Sequence, residues 1–176
     1  GKIITATGDV EIKVENGIII KSDKSILNKE DSILEASGNI YFLDEKNKIE
    51  LFAENIKYEK KKNIIIFKGD NKTIFDKKFN LKSRDIIYNK NKNLIYSNYK
   101  TSLKDKDNNN LFFDNFKFNV IDKVVDVENL QLIDASKNDY KINEAMINLN
   151  IGEFIGKNVK IFFYKEIFGN SENDPR

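Results

Sequence analysis

The chain has no cysteine, no histidine and no tryptophan, and its one proline is Pro175. Lack of cysteine excludes disulfides, thiolate metal sites and cysteine nucleophiles. Lack of histidine removes the commonest general base and every imidazole ligand, so neither a metal nor a cofactor is expected. An excess of one charge is missing too: 30 Lys and Arg against 28 Asp and Glu leave a formal net charge of +2. Proteins that grip nucleic acid through its phosphates carry a basic excess on one face. Here the charges are interspersed, which argues against nucleic acid as a partner. No apolar run approaches the roughly 18–20 residues that a membrane-crossing helix needs. Nothing at Gly1 reads as a signal peptide, so the expectation is a mature, processed segment.

What is present is a set of short Ile, Val, Leu and Phe clusters. Hydrophobic residues make up 40% of the chain beside 33% charged ones, and clustering of this kind marks a folded domain rather than a disordered one. The clusters repeat. Gly8-Asp9-Val10, Gly38-Asn39-Ile40 and Gly69-Asp70-Asn71 lie 30 and 31 residues apart. A second motif keeps the same step: Leu51-Phe52-Ala53-Glu54-Asn55-Ile56-Lys57-Tyr58, then Leu81 to Tyr88, then Leu111 to Phe118. Looser copies begin at Ile20 and Ile142. Two unrelated motifs in one period of about thirty residues indicate serial units that share a core.

Each unit reads as two strands. Leu34, Ala36, Ile40 and Phe42 alternate around Gly38. Alternation by two places them on one face of an extended strand, with the glycine marking a bulge or bend. The equivalent inward residues are expected at Ile65 and Phe67, Leu94 and Tyr96, and Val125 and Val127. In the second strand Ile49, Leu51 and Ala53 alternate, then the phase slips and resumes at Ile56 and Tyr58. A slip of one residue turns a strand over unless a bulge absorbs it. Bulges are therefore predicted at Glu54-Asn55, Arg84-Asp85 and Asp114-Asn115. Polar clusters supply the turns: Glu15 to Gly17, Asp44 to Asn47, Glu59 to Asn63, Asn89 to Asn93 and Lys104 to Asn110. The Lys-rich turns are expected to be solvated, and Tyr58 and Tyr88 to cap the core with their hydroxyls in water. Strands of this spacing predict about eleven or twelve in a mostly antiparallel meander, which must fold on itself to bury its apolar face.

The unit that carries Ala53-Glu54-Asn55-Ile56-Lys57-Tyr58 and Leu34-Glu35-Ala36-Ser37-Gly38-Asn39-Ile40 resembles the OstA-like repeat of the lipopolysaccharide-transport proteins LptA, LptC and the N-terminal part of LptD. The resemblance spans nearly the whole chain. Ile167-Phe168-Gly169-Asn170, leading to Pro175-Arg176, is similar to the segment where LptD proteins leave their periplasmic domain. The implied division is a β-jellyroll at residues 1–164 and a linker at 165–176 that leads toward a membrane β-barrel.

This resemblance implies an all-β, twisted, V-shaped antiparallel jellyroll with an apolar interior open along one side. It implies a periplasmic domain at the outer membrane that takes lipopolysaccharide from LptA, with LptE and its own barrel as further partners. The acyl chains of lipid A would lie against Val10, Ile12, Ile20, Leu34, Ala36, Ile40, Phe42, Leu51, Ala53, Ile65, Phe67, Leu81, Phe113, Phe116, Val125 and Val127. The first strand, with Ile4, Val10, Glu11 and Lys13, would be the edge on which LptA docks. Many LptD proteins tie this domain to the barrel by disulfides, a device that a chain without cysteine lacks. Three other readings stay open. An enzyme would need two placed carboxylates, but most acidic residues fall in turns or at one repeat position. A β-solenoid adhesin or scaffold would also repeat near thirty residues, with parallel coils. A free-standing LptA- or LptC-type carrier would share the mechanism.

Overall fold

A computed structural model describes residues 2–15 and 17–164. The expected linker at 165–176 and Asn16 of the first turn lie outside the described residues. The described residues form one 14-stranded sheet. Its strands are β1 (Ile3–Val14), β2 (Ile18–Asn28), β3 (Ile33–Asp44), β4 (Ile49–Glu59), β5 (Ile64–Phe75), β6 (Phe79–Asn89), β7 (Leu94–Ser97), β8 (Thr101–Lys104), β9 (Asn110–Phe113), β10 (Asn115–Asn119), β11 (Val124–Ile133), β12 (Asp139–Asn148), β13 (Glu153–Lys157) and β14 (Lys160–Phe162). The pairs β7/β8, β9/β10 and β13/β14 are single long strands interrupted near the middle, because both members of each pair ladder onto the same neighbour. Counted that way there are eleven strands among the described residues, within the expected number. Every ladder in the sheet is antiparallel, which overturns the solenoid reading and its parallel coils. The jellyroll expectation holds.

The Gly-Asp/Asn motif explains how the sheet folds. Register shifts fall between Thr7 and Val10, Lys21 and Lys24, Ser37 and Ile40, Phe52 and Asn55, and Phe67 and Asp70. They form a line of bulges that crosses the sheet from strand to strand. Gly38 sits on this line at φ +77° with Asn39 at +48°, a left-handed step that few other residues tolerate. The recurring acidic residue of the second motif also has its reason here. The Asp85 carboxylate accepts the Gly69 N–H at 2.8 Å, Asp114 accepts from the Asn129 amide at 2.7 Å, and Asp23 accepts from Asn39 at 2.9 Å. Asp85 satisfies a backbone donor that the bulge has taken out of the ladder, while Asp114 and Asp23 pin the side chains of asparagines that stand at positive φ beside it. The expected bulges at Glu54-Asn55 and Arg84-Asp85 are present, the first at Ala53-Glu54 and the second at Asp85. At Asp114 the strand is broken rather than bulged.

Strands that bend at one line can belong to two layers. Phe42 on β3 meets Phe67 on β5 with ring centroids 5.1 Å apart, and Tyr88 on β6 at 6.5 Å, although β4 separates β3 from both. Phe75 on β5 likewise meets Phe118 on β10 at 4.7 Å. These pairs join residues from opposite sides of the bulge line. The sheet is therefore creased, and its two half-sheets face each other across an apolar interior.

One expected phase is corrected. Leu94 and Tyr96 face outward to an intermediate degree, and Ile95 and Ser97 are buried instead. The hairpin explains it: Leu94 pairs with Asn89 and Ile95 with Tyr88, so Ile95 takes the place that Ile65 takes opposite Tyr58. The true equivalents of Ile65 and Phe67 are Ile95 and Ser97.

Candidate functional site

Of the residues expected to line an apolar groove, Ile20, Leu34, Ala36, Ile40, Phe42, Leu51, Ala53, Ile65, Phe67, Leu81, Phe113, Phe116, Val125 and Val127 are all buried in one hydrophobic cluster. Ile12 packs on that cluster partly buried, and Val10 is half-exposed. Pattern reading missed others of the same cluster, among them Ile18, Phe75, Ile86, Phe118, Leu130 and Ile142. Their alternation with exposed neighbours was visible in the sequence. Most lie outside the two motifs or at their ends, and Ile86 lies inside the second, beyond its phase slip.

The interior is not uniform along its length. Around Ile20, Phe42, Ile65 and Phe67 the facing side chains meet and fill the space between the half-sheets. A groove open along one whole side is therefore not what the structure shows. The interior opens instead at the β1 end, in a mouth of about 560 Å³. Its walls are Ile4, Ala6, Val10, Ile12, Val14, Leu27 and Leu34, with Tyr58 at the back. Glu11, Lys13, Glu15, Lys29 and Lys60 surround it. The residues expected to form a partner edge and those expected at the start of the groove thus meet at one place. Among the described residues β1 pairs only with β2 and is an end of the sheet path, so its outer side presents backbone groups without a partner among them. At the rim, Lys21 and Lys13 hold the Glu11 carboxyl below its ordinary value. Burial, with help from Glu15, raises the Tyr58 phenol.

Opposite the crease, the free ends of the half-sheets are tied together. Tyr88 is 1% exposed, and its hydroxyl donates to the buried Asp44 carboxylate at 3.0 Å and accepts from the Asn47 amide at 3.1 Å. The expectation of a hydroxyl in water fails here, because the turn after β3 closes over the ring from the facing half-sheet. Tyr58 is buried as well, and its hydroxyl donates to Asn63 at 3.2 Å. Lys123 adds to the seam by pairing with Asp76 at 3.6 Å and donating to the Asn47 carbonyl at 3.2 Å. Burial first, then the Asp44 charge, pushes the Tyr88 phenol far above its usual range. Burial also lowers the Lys90 ammonium nearby.

The inner side of the crease carries small and polar residues. Ser22 and Ser25 share a hydrogen bond at 2.8 Å, and so do Ser83 and Thr101 at 2.7 Å. The Ser97 hydroxyl donates to the Arg84 carbonyl at 2.6 Å. Where two half-sheets converge there is little room, and these short side chains fill it while bonding to one another or to the backbone. Among the described residues no cluster of acidic side chains has the arrangement of a metal site.

No protein-family profile matches the chain, and no curated protein matches it. Among solved structures, it is similar to LptH of Pseudomonas aeruginosa, described as the LptA homologous periplasmic component of the conserved lipopolysaccharide transport device. The two superpose with a TM-score of 0.55 at 13% identity, over 65% of this chain and 83% of that one. At that identity the likeness speaks for architecture: the creased antiparallel jellyroll described above is the fold of an LptA-type protein.

Proposed function

We propose that this domain is a non-catalytic carrier of lipopolysaccharide in the periplasm, holding lipid A acyl chains in its apolar interior and receiving them at the β1 mouth. The observation that carries the reading is the mouth itself. It joins a continuous apolar cluster to solvent at the same end as a strand edge that no other described strand covers. The fold shared with the LptA homologue LptH supports it. The physical demand is clear. Burying a chain of about twelve to fourteen carbons is worth roughly 10 kcal/mol at about 0.8 kcal/mol per methylene. Crossing water exposed would cost that for every chain. A surface of Ile, Leu, Val and Phe gives contact without fixed hydrogen bonds, so a tail can slide without being trapped.

In its finer form the proposal assigns the domain to the N-terminal part of an LptD-type protein at the periplasmic face of the outer membrane. LptA would add its edge strand to β1, and LptE and the protein's own barrel would lie beyond the C-terminal end. A free-standing LptA-type carrier is the second reading, favoured by the likeness to LptH. Because the interior is packed in its middle, passage requires the half-sheets to part at the Tyr88–Asp44 seam.

Photo-crosslinkers at Ile12, Leu34 and Phe42 should capture lipopolysaccharide in cells, and those at Lys46 and Lys61 should not. Equal capture at both sets, or none at the mouth, defeats the carrier reading. Fractionation of the intact protein separates the two finer forms: an integral outer-membrane protein favours LptD, a soluble periplasmic one the free carrier.

A further inference from the structure

A second concavity lies on the outer face, on the other side of the sheet from the interior. It is a valley of about 850 Å³ that runs across β4, β5, β6 and the link between β7 and β8. Two of its cations are arranged in a way that folding alone does not favour. Lys72 on β5 and Lys82 on β6 stand directly opposite each other in the ladder, and Arg84 and Lys100 flank them. Like charges facing across a strand pair destabilise a sheet. None of the four forms an ion pair with a carboxylate among the described residues. By contrast Lys57 and Lys62, also on the surface, both pair with Glu59, at 3.0 and 2.7 Å.

Two aromatic rings lie among these cations. Phe52 is 37% exposed with the Lys72 ammonium 5.6 Å from its ring centre, and Tyr99 is 47% exposed with the Arg84 guanidinium 6.0 Å away. The rings hold the cations at the surface without neutralising them. The valley also contains groups that bind hydroxyls, namely the carboxylates of Glu54 and Asp70.

Cations without ion-pair partners, exposed ring faces and carboxylate hydroxyl acceptors are the three elements that a phosphorylated sugar engages. Cations take phosphate. Ring faces take the apolar face of a pyranose, and carboxylates take its hydroxyls. A bare membrane surface would favour cations without the two carboxylates, which anionic headgroups repel. We propose that this outer valley is a binding site for a phosphorylated saccharide, with Lys72 and Lys82 as the phosphate ligands and Tyr99 as the stacking platform. The proposal does not depend on the carrier reading of the interior.

The test is an NMR titration of the isotope-labelled chain at constant ionic strength with glucose 1,6-bisphosphate, glucose and inorganic phosphate. The sugar phosphate should give saturable shifts at Phe52, Lys72, Lys82 and Tyr99, at least five-fold tighter than inorganic phosphate, and glucose should give none. The double variant Lys72→Gln/Lys82→Gln should weaken binding at least five-fold, while Lys46→Gln/Lys61→Gln, with the same loss of charge elsewhere, should change it less than two-fold. The first variant should melt at or above the wild-type temperature, because it removes a like-charge pair. A second arm replaces the soluble probe with a detergent-dispersed phosphorylated glycolipid. Tighter binding there, still lost in Lys72→Gln/Lys82→Gln, identifies a lipid-anchored source, and equal or weaker binding a free one. Equal weakening by both double variants, inorganic phosphate binding as tightly as the sugar phosphate, or a lower melting point for the first variant overturns the proposal. So does capture by phosphatidylglycerol vesicles without any response to the sugar phosphate, which would assign the valley to a membrane surface.

Discussion

The seam that ties the two half-sheets can be weighed by one substitution, Tyr88→Phe. The ring stays, so the packing against Phe42 is retained and only the hydroxyl is lost. That hydroxyl donates to a carboxylate that is 2% exposed. Hydrogen bonds to charged groups contribute about 1.5–3 kcal/mol. Asp44 keeps two donors from Asn47, its backbone N–H at 3.1 Å and its amide at 2.8 Å, so the lower half of that range applies, roughly 1.5–2 kcal/mol. In a chain of this size that lowers Tm by about 3–8 °C. The assay is urea unfolding at neutral and alkaline pH.

The pH dependence supplies the sharper check. The folded-state pKa of Tyr88 is raised by burial and by Asp44 above the unfolded value of about 10. Its contribution is therefore fully present below pH ~10 and is lost as pH rises toward the folded value. Wild type should lose stability above pH ~10 more steeply than Tyr88→Phe. Tyr41, Tyr58 and Tyr140 are raised in the same direction, and Lys90 is lowered and works in the opposite one, but these act in both proteins and cancel in the difference. A Tyr88→Phe protein within about 0.5 kcal/mol of wild type at neutral pH, with an unchanged alkaline slope, would refute the latch.

Other outcomes follow from the same structure. Phe42→Ala should cost about 3–5 kcal/mol in urea unfolding, because it empties the place where the half-sheets meet. Gly38→Ala should destabilise by more than the roughly 1 kcal/mol of an unfavourable positive φ, since its methyl group would collide with the Asp23 carboxylate; Gly69→Ala, with open space around it, should cost only the backbone term. With no histidine in the chain, Tm should be nearly flat between pH ~6 and ~9, and it should fall in acid as Glu59 and Asp134, both held below their ordinary values, are protonated. Ile12→Asp at the mouth should leave Tm within about 2 °C, the residue being half-exposed, yet abolish crosslinking of lipopolysaccharide at Leu34.

The period of about thirty residues made the fold readable, because each unit carries its own bend. Gly38-Asn39 and the slip after Ala53 are legible as bulges or bends, and the crease runs through both. The phase of β7 was misread because Leu94 and Tyr96 look more like core residues than Ile95 and Ser97 do. Only the hairpin register, with Ile95 opposite Tyr88, decides which pair turns inward. The seam could not be read at all. Tyr88 and Asp44 lie 44 residues apart in different repeats, and nothing local in either signals the other. The outer valley is hidden for the same reason, since Phe52, Lys72 and Lys82 come from three strands and Tyr99 from a link, in a chain rich in lysine. The closed middle of the interior was beyond pattern reading too: alternation tells which side chains point in, not whether they touch those pointing back.

Because every long strand contributes one segment to each wall, a duplicated unit adds a hairpin to both walls at once. Two further strands at about 4.8 Å spacing would extend the trough by roughly 10 Å and leave its cross-section as it was. Gene duplication can therefore tailor reach in fixed increments, while girth stays set by the distance from bend to turn.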